Sequence, residues 1–362
     1  MMRMTVLASG SKGNSTVISS SRTRVLVDAG LSCRELLKRM SIAGEDPTAL
    51  DAILITHEHQ DHIAGLSVLA RRLNIPVFFT EPTHRAWVRM LTPRTTMTYA
   101  KWLDHVQREK EARAVAVAAK APNSDLANQL AEESSIIAGI AAEAAALSHS
   151  DARSDDPHAT LELPVDPDES SDSEEDLCAS EATNTQQAAP KPDPTRLLAV
   201  EYFHSGTQFS IGDIDITPFT IPHDAADPCG FVFESEGIRM ALATDLGYMP
   251  PNVKAALKRI DVLLLESNHD LEMLRDGPYP WSVKQRVLSR VGHLSNDATA
   301  DFLQKDYDGG ASWIILGHLS ESNNAPELAR LSAEQALGGH PTLLGNRILL
   351  AHQGTPLDSI TL

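Results

Sequence analysis

Cysteine is scarce in this chain of 362 residues: Cys33, Cys178 and Cys229 are too few and too scattered for a disulfide framework or a thiolate zinc site. That scarcity points to a reducing compartment, and a cytoplasmic protein is expected. Long apolar runs are missing as well. No stretch approaches the ~18 uninterrupted apolar residues of a membrane-spanning helix, so no membrane span is expected. Met1–Gly10, with one Arg and a short strand-like run, lacks the apolar length of a signal peptide. Phe, Trp and Tyr make up only 5% of the chain and are absent from residues 121–195. That stretch carries 17 Asp and Glu against Arg153 and Lys191, which leaves only −3 of the formal −18 for all other residues. A near-neutral body is compatible with an anionic substrate, so the overall pI of about 5.1 does not argue against nucleic acid.

What is present is a concentration of ligand side chains. Thr56-His57-Glu58-His59-Gln60-Asp61-His62 places four potential metal ligands, His57, His59, Asp61 and His62, within six residues. The motif follows the apolar run Ala52–Ile55, which reads as a buried strand. Side chains two apart on an extended segment share a face, so His57 and His59 point the same way. Asp61 and His62 then open a helix whose apolar residues Ile63, Leu66, Leu69 and Leu73 recur at helical spacing. A strand end and a helix start thus deliver imidazoles and a carboxylate to one small volume, which suits a metal pair.

Before the motif, Met4–Ala8 and Ser15–Ser19 read as strands joined by Ser9-Gly10-Ser11-Lys12-Gly13-Asn14. The backbone N–H groups and Asn14 of this loop could touch a phosphate, or the loop is a plain hairpin turn. Arg24–Asp28 is a third strand. Asp28 either caps the following helix, Cys33–Ile42, or orients ligands from behind them; the second reading is preferred because another strand delivers the histidines shortly afterwards. Strands and helices alternate to about residue 104, as in a layered α/β protein. Residues 105–196 read as an insertion, charged and Ala-rich with helical periodicity at first, then acidic and disordered. It is either a solvated linker or a segment that binds an unknown partner or mimics nucleic acid. Structured sequence resumes near Leu197, which divides the folded body into 1–104 and 197–362. Two halves, each rich in strands and then in helices, fit two sheets packed face to face with helices outside.

Three further residues stand at predicted strand ends, where sites are usually built: His223, Asp245 and His318. Singly, each is an ordinary polar residue at a turn. With the motif they supply five imidazoles and two carboxylates, the inventory for two metals joined by a bridging carboxylate. Lys284, Arg286 and Arg290, on a predicted helix over Trp281–Val291, form a basic cluster that faces either a phosphate backbone or solvent. Cys229, among Pro228, Gly230 and Phe231, reads as a small buried residue rather than a ligand.

His-x-His-x-Asp-His followed by His, Asp and His at strand ends resembles the metallo-β-lactamase superfamily. The resemblance covers roughly residues 3–104 and 197–362. It implies an α/β fold, the four-layer αβ/βα sandwich, here carrying a long and largely disordered acidic insertion. Ser9–Asn14, Pro222–Pro228, Glu266–Asp270 and Gly292–Asn296 are similar to the YycJ (WalJ-like) branch, which implies exonuclease activity on DNA. Carried over by position, His57, His59 and His223 hold one metal, Asp61, His62 and His318 the other, and Asp245 bridges them. Neutral imidazoles suit Zn²⁺, and the mixed N/O set also admits Mn²⁺ or Fe²⁺. His rather than Glu at position 59, with no flavodoxin-like region following, argues for hydrolysis over redox chemistry.

Two metals ~3.5–4 Å apart can hold a hydroxide at neutral pH and stabilise both the attacking and the leaving oxygen of a phosphoryl displacement. The resemblance implies that Asp61 helps to orient this hydroxide and that His293 or His269 protonates the leaving alkoxide or stabilises charge on the phosphorane. His293 matches better, because Asn296 and Ala298 open a helix behind it, whereas Asn268-His269-Asp270 also reads as a helix N-cap. Asn14, Lys284 and Arg286 are the candidates for holding substrate phosphate. The same ligands occur in hydrolases of thioesters, lactones and small cyclic phosphates. A reading of another class, a regulatory interaction protein with a structural metal site, sits poorly with seven candidate ligands.

Overall fold

Short apolar runs separated by turn formers make fourteen strands among the residues that the computed structural model describes: 1–92, 193–338 and 346–362. The first sheet contains β1 (Arg3–Ala8), β2 (Ser15–Ser19), β3 (Arg24–Val27), β4 (Ala52–Leu54), β5 (Val77–Phe79), β6 (Val200–Tyr202) and β14 (Ile360–Thr361), in the order β14-β1-β2-β3-β4-β5-β6. The second contains β7 (Phe209–Ile211), β8 (Ile214–Thr220), β9 (Cys229–Ser235), β10 (Ile238–Ala243), β11 (Val262–Glu266), β12 (Trp313–Gly317) and β13 (Arg347–Leu350), in the order β13-β12-β11-β10-β9-β8-β7. Each sheet begins antiparallel and turns parallel, from β3 to β6 in one and from β10 to β13 in the other. Parallel pairing in register aligns the C-terminal ends of neighbouring strands, and those ends carry the candidate residues.

Period-two alternation decides the layers. Ala52 and Leu54 face one way with Val25, Val27, Met240, Leu242, Val262 and Leu264, forming an apolar core between the sheets. Ile53 and Ile55 face the other way, against Leu36, Met40, Leu66, Leu69 and Trp87. These belong to the helices α1 (Cys33–Ile42), α3 (Leu66–Leu73) and α4 (Glu81–Leu91). On the second sheet, Ala241, Ala243, Leu263, Leu265 and Leu316 turn outward onto Val253, Phe302, Leu303 and Ala333. These come from α5 (Pro251–Ala256), α8 (Asn296–Lys305) and α9 (Pro326–Leu337), whose numbering leaves α6 to Leu271–Asp276 and α7 to Trp281–Val287. The result is the expected four-layer αβ/βα sandwich. Leu264→Ala would open a cavity between the sheets at a cost of about 2–5 kcal/mol.

Several local expectations need correction. The helix after the histidine motif is two helices, α2 (Gln60–Ile63) and α3, because Gly65 packs its Cα against the Leu31 carbonyl so closely that no side chain would fit there. The helix expected over Trp281–Val291 ends at Val287, where Gly292 folds back and lets the His293 N–H donate to the Val287 carbonyl. The short strands β6 and β14 and the one-and-a-half-turn helix α6 were not foreseen. The helical and acidic parts of the expected insertion lie outside the described residues up to residue 192. Among the described residues no helix is long and apolar enough to cross a membrane.

Candidate metal centre

The candidate ligands meet where the strand ends of both sheets face each other. From the first sheet, β4 runs into Thr56 and His57, and His59 precedes α2, which carries Asp61 and His62. This turn is held from below by a close backbone approach: Asn14 N–H donates to the Asp61 carbonyl at 2.7 Å, and a Cβ on Gly30 would stand 1.7 Å from that carbonyl oxygen. From the second sheet come His223 after β8, Asp245 after β10, Glu266 at the end of β11 and His318 after β12. Three of the strand-end residues, Asp28, Asp245 and His318, adopt left-handed backbone conformations with φ of 62°, 65° and 54°. A side chain rarely does so without cost, and such strain concentrates where structure is held for function.

Distances test whether these residues could hold cations. Two ligands bound tetrahedrally at ~2.1 Å from one metal lie about 3.4 Å apart. His59 Nδ1 and His223 Nε2 are 3.2 Å apart, and His57 completes a trio with them. His62 Nε2 lies 3.5 Å from Asp61 Oδ2, while His318 Nε2 lies 3.7 Å from the same oxygen. Asp245 stands between the trios, 3.4 Å from His62, 3.8 Å from His223 and 3.1 Å from His318. His57 Nε2 and Asp245 Oδ2 are buried without a hydrogen-bond partner, which burial normally forbids. A buried lone pair and a buried carboxylate oxygen left open in one polar cluster fit divalent cations.

Electrostatics agree with that fit. Burial, helped by the neighbouring His62, holds the His57 pKa well below the ordinary value, which favours the neutral ring with one nitrogen able to ligate. Burial also opposes charge on His62 and His318, but the surrounding carboxylates, Asp245 foremost, outweigh it and raise both well above the ordinary range. Burial would raise Asp61 and Asp245, yet the imidazoles beside them hold both well below the usual carboxylate range. Metal binding needs the imidazoles neutral and the carboxylates ionised at their ligating atoms, so cation affinity at such a cluster is expected to fall with acid.

Around the ligands lies a layer of orienting groups. Asp28 does not cap α1; the Ser32 side chain does. Its carboxylate instead accepts from the Thr56 N–H and hydroxyl and from His62 Nδ1, the last at 2.8 Å. Glu266, fully buried, accepts from His293 Nδ1 at 2.8 Å and lies 3.3 Å from His318 Nδ1, while its other oxygen receives the Leu246 N–H. Sequence reasoning missed Glu266 as a site residue, although an acid closing the all-apolar run Val262–Leu265 was the available signal. Also missed was a buried amide network. Asn324 Nδ2 donates to the carbonyls of Ser267 and Asn268 and to Asn296 Oδ1, and Asn268 Nδ2 donates to the His318 carbonyl. These bonds tie the loops bearing His269, His293 and His318 into one unit.

The remaining expected residues fall in different places. His293 is partly open to solvent, its ring centroid 5.0 Å from that of His318. His269 is buried, with Nε2 unpartnered, and burial pushes its pKa down to about 4; Asp270, next to it, caps α6. Asn14 is buried beneath the ligands, its amide directed at Gly10, Asp61 and His62 rather than outward. Lys284 donates its ammonium to the carbonyls of Arg275 and Gly277, both at 2.8 Å. Arg286 alone of the expected phosphate contacts reaches the mouth of the cluster, where it meets Asp224. Cys229 is buried, with its thiol pushed up to about 12, as a small core residue would be.

Two family models match the chain, the metallo-β-lactamase superfamily over residues 8–115 and the β-lactamase superfamily domain over 173–315. The chain belongs to the metallo-β-lactamase superfamily. It is similar to a protein of Bacillus anthracis named exodeoxyribonuclease YycJ, 29% identical over 93% of this chain and 89% of the relative. It is also similar to exodeoxyribonuclease WalJ of Streptococcus pneumoniae, 28% identical over 91% of this chain and 86% of the relative. Among solved structures, the metallo-β-lactamase fold protein YhfI of Bacillus subtilis superposes with a TM-score of 0.53 over 98% of both chains; at 13% identity that likeness concerns the fold alone. The chain is thus a hydrolase of this superfamily, with a His/Asp cluster that could hold divalent cations.

Proposed function

We propose that this protein is a two-metal phosphodiesterase that degrades DNA from an end, in the cytoplasm. His57, His59 and His223 would hold one divalent cation, and Asp61, His62 and His318 the other, with Asp245 shared; Zn²⁺ suits the imidazole-rich set best, and Mn²⁺ and Fe²⁺ are compatible with it. Such a pair supplies Lewis acidity, activating water at neutral pH and stabilising charge on the attacking and leaving oxygens.

The observation that carries the reading is the Glu266–His293 pair beside the cluster. His293 donates Nδ1–H to a buried carboxylate, which orients the ring and leaves Nε2, on its partly open side, for a leaving alkoxide. An alkoxide leaving group needs a proton, and the His293 ring, carrying a proton on both nitrogens, would give it the one on Nε2 and be left neutral with Nδ1–H still on Glu266. Asp61 Oδ2, which accepts from Asn14 at 3.1 Å, would orient the attacking water. His269 is neutral at pH 7 and buried, so we assign it to positioning rather than proton donation. DNA as substrate is supported by the names of the two relatives, similar over more than nine-tenths of this chain, and by the near-neutral charge of the body outside residues 121–195.

The hydrolytic unit would consist of residues 1–104 and 197–362, with 105–196 inserted and dispensable for the chemistry. Purified protein loaded with Zn²⁺ or Mn²⁺, offered end-labelled single- and double-stranded DNA, RNA and a chromogenic phosphodiester in parallel, tests the assignment. Stepwise shortening of DNA from one end is expected. Hydrolysis of a thioester or lactone with no action on any phosphodiester would refute it. Deletion of residues 121–195 should leave hydrolysis intact, and its loss would return the insertion to the active machinery.

A further inference from the structure

We propose that Asp224 is a positioning residue that clamps Arg286 at the mouth of the site, so that the free edge of its guanidinium reads a backbone phosphate of the DNA strand. The inference rests on the phosphodiesterase reading and adds to it a pair of residues 62 positions apart. Arg286 Nε and Nη2 both donate to the Asp224 carboxylate, a two-pronged contact, the Nη2 bond measuring 3.0 Å. Arginine has five N–H donors in one plane, so this contact leaves three, two of which form the fork between Nη1 and Nη2. The Arg286 side chain is 39% exposed and can be reached by a ligand.

Asp224, although exposed, is itself held through its backbone and its carboxylate. Its N–H donates to the Val291 carbonyl at 3.2 Å, and His223, its neighbour, donates Nδ1–H to the Gly292 carbonyl at the same distance. The carboxylate oxygen Oδ1 that accepts from Arg286 also stands 3.5 Å from His223 Nε2 and 3.9 Å from His59 Nε2. The guanidinium is therefore referenced to two imidazoles of the first trio and, through residues 291 and 292, to the segment that leads into His293. A lone exposed arginine samples many rotamers, whereas one fixed at an edge offers a phosphate a pre-formed fork. The other expected phosphate contacts lack this disposition, since Lys284 is engaged with carbonyls and Asn14 is buried.

An ordinary structural ion pair would tie the same two segments together, and the test separates the two roles. Steady-state kinetics on a chromogenic phosphodiester and on end-labelled single-stranded DNA would be measured for wild type, D224N, R286Q, R286K and D224N/R286K, with thermal melting and metal content for each. Binding of labelled single-stranded DNA to metal-free protein would be followed by fluorescence anisotropy across salt concentrations. The clamp requires KM to rise about tenfold in D224N and R286Q, the worth of one charge-assisted hydrogen bond, with kcat within about twofold of wild type. R286K should fail to restore KM, because an ammonium keeps the charge but has no second edge, and the double variant should be no worse than R286K alone. R286Q should also lower the salt dependence of binding by about 0.7, one phosphate contact on a single strand. If R286K behaves as wild type, or if D224N lowers the melting temperature and leaves KM unchanged, the pair is structural and the clamp is refuted. A wild-type protein that neither cleaves phosphodiesters nor binds DNA would remove the phosphodiesterase reading and the clamp together, whereas an active wild type with unaffected variants would remove only the clamp.

Discussion

Asp28 and Glu266 occupy matching places in the two sheets, each a buried carboxylate at the C-terminal end of a parallel-paired strand and each 2.8 Å from an imidazole nitrogen. Their charges are set differently. At Asp28 burial prevails over His62 and Thr56, and the pKa is raised. At Glu266 burial also opposes ionisation, but His293 and His318 together outweigh it, and the pKa is lowered. One carboxylate serves a single imidazole; the other is a hub shared between two. On the proposed reading, the first sheet would fix ligands, and the second would also hold His293, the imidazole assigned to handle a proton.

The shared element of both halves is Asp245, and removing it should have the largest effect. Asp245→Asn should lower kcat/KM by on the order of a thousandfold or more and reduce the bound metal below two equivalents. Two retained equivalents with activity near that of wild type would mean that the halves do not meet at Asp245. Next comes the proton-handling side. His293→Ala should lower kcat on DNA by about 10²–10⁴-fold with metal content unchanged. A chromogenic diester whose leaving group needs no proton should lose much less. Equal losses on both substrates would take proton donation away from His293.

The comparison itself is sharpened by exchanging each carboxylate for its amide. Glu266→Gln and Asp28→Asn should each cost about 10–100-fold, but in different quantities. Glu266→Gln should act on kcat, through His293. Asp28→Asn should act on metal affinity, read by competition with a chelator, through the ring orientation of His62. If both variants lose kcat alone, the proposed division between the sheets does not exist.

That division also explains what the sequence made legible. His57, His59, Asp61 and His62 are neighbours in the chain, so local periodicity alone placed them on one strand end and one helix start. His223, Asp245 and His318 each follow a recognisable apolar run, and the layered fold brings the ends of such runs together. Glu266 was hidden because it belongs to the run rather than following it. Asp224 was hidden because beside His223 it looks like a turn residue, and its partner is 62 positions away. The amide network of Asn268, Asn296 and Asn324 exists only where three loops meet. Asn14 and Lys284 were plausible phosphate contacts by type, yet their direction depends on tertiary hydrogen bonds. β6 and β14, of three and two residues, are too short for alternation to register.

A third carboxylate provides the control with the smallest effect. Asp213, between β7 and β8, accepts from Ser20 and Thr23 at the turn between β2 and β3, both at 2.6 Å, and from Arg22. It joins the same two sheets away from the candidate ligands, and its hydrogen bonds to Ser20 and Thr23 lower its pKa from 3.8 to about 2. A depressed acid stabilises the fold at pH values above its unfolded pKa and loses that contribution as pH falls through the folded one. Asp213→Asn should therefore destabilise the protein by about 1 kcal/mol at neutral pH, allowing for screening by solvent, and lower Tm by about 2 °C. The difference from wild type should shrink below pH 4 and vanish only below pH 2, and kcat and metal content should not change at all. A loss of activity in this variant would mean that the relative placement of the two sheets, and not the local carboxylates of the site, sets the chemistry.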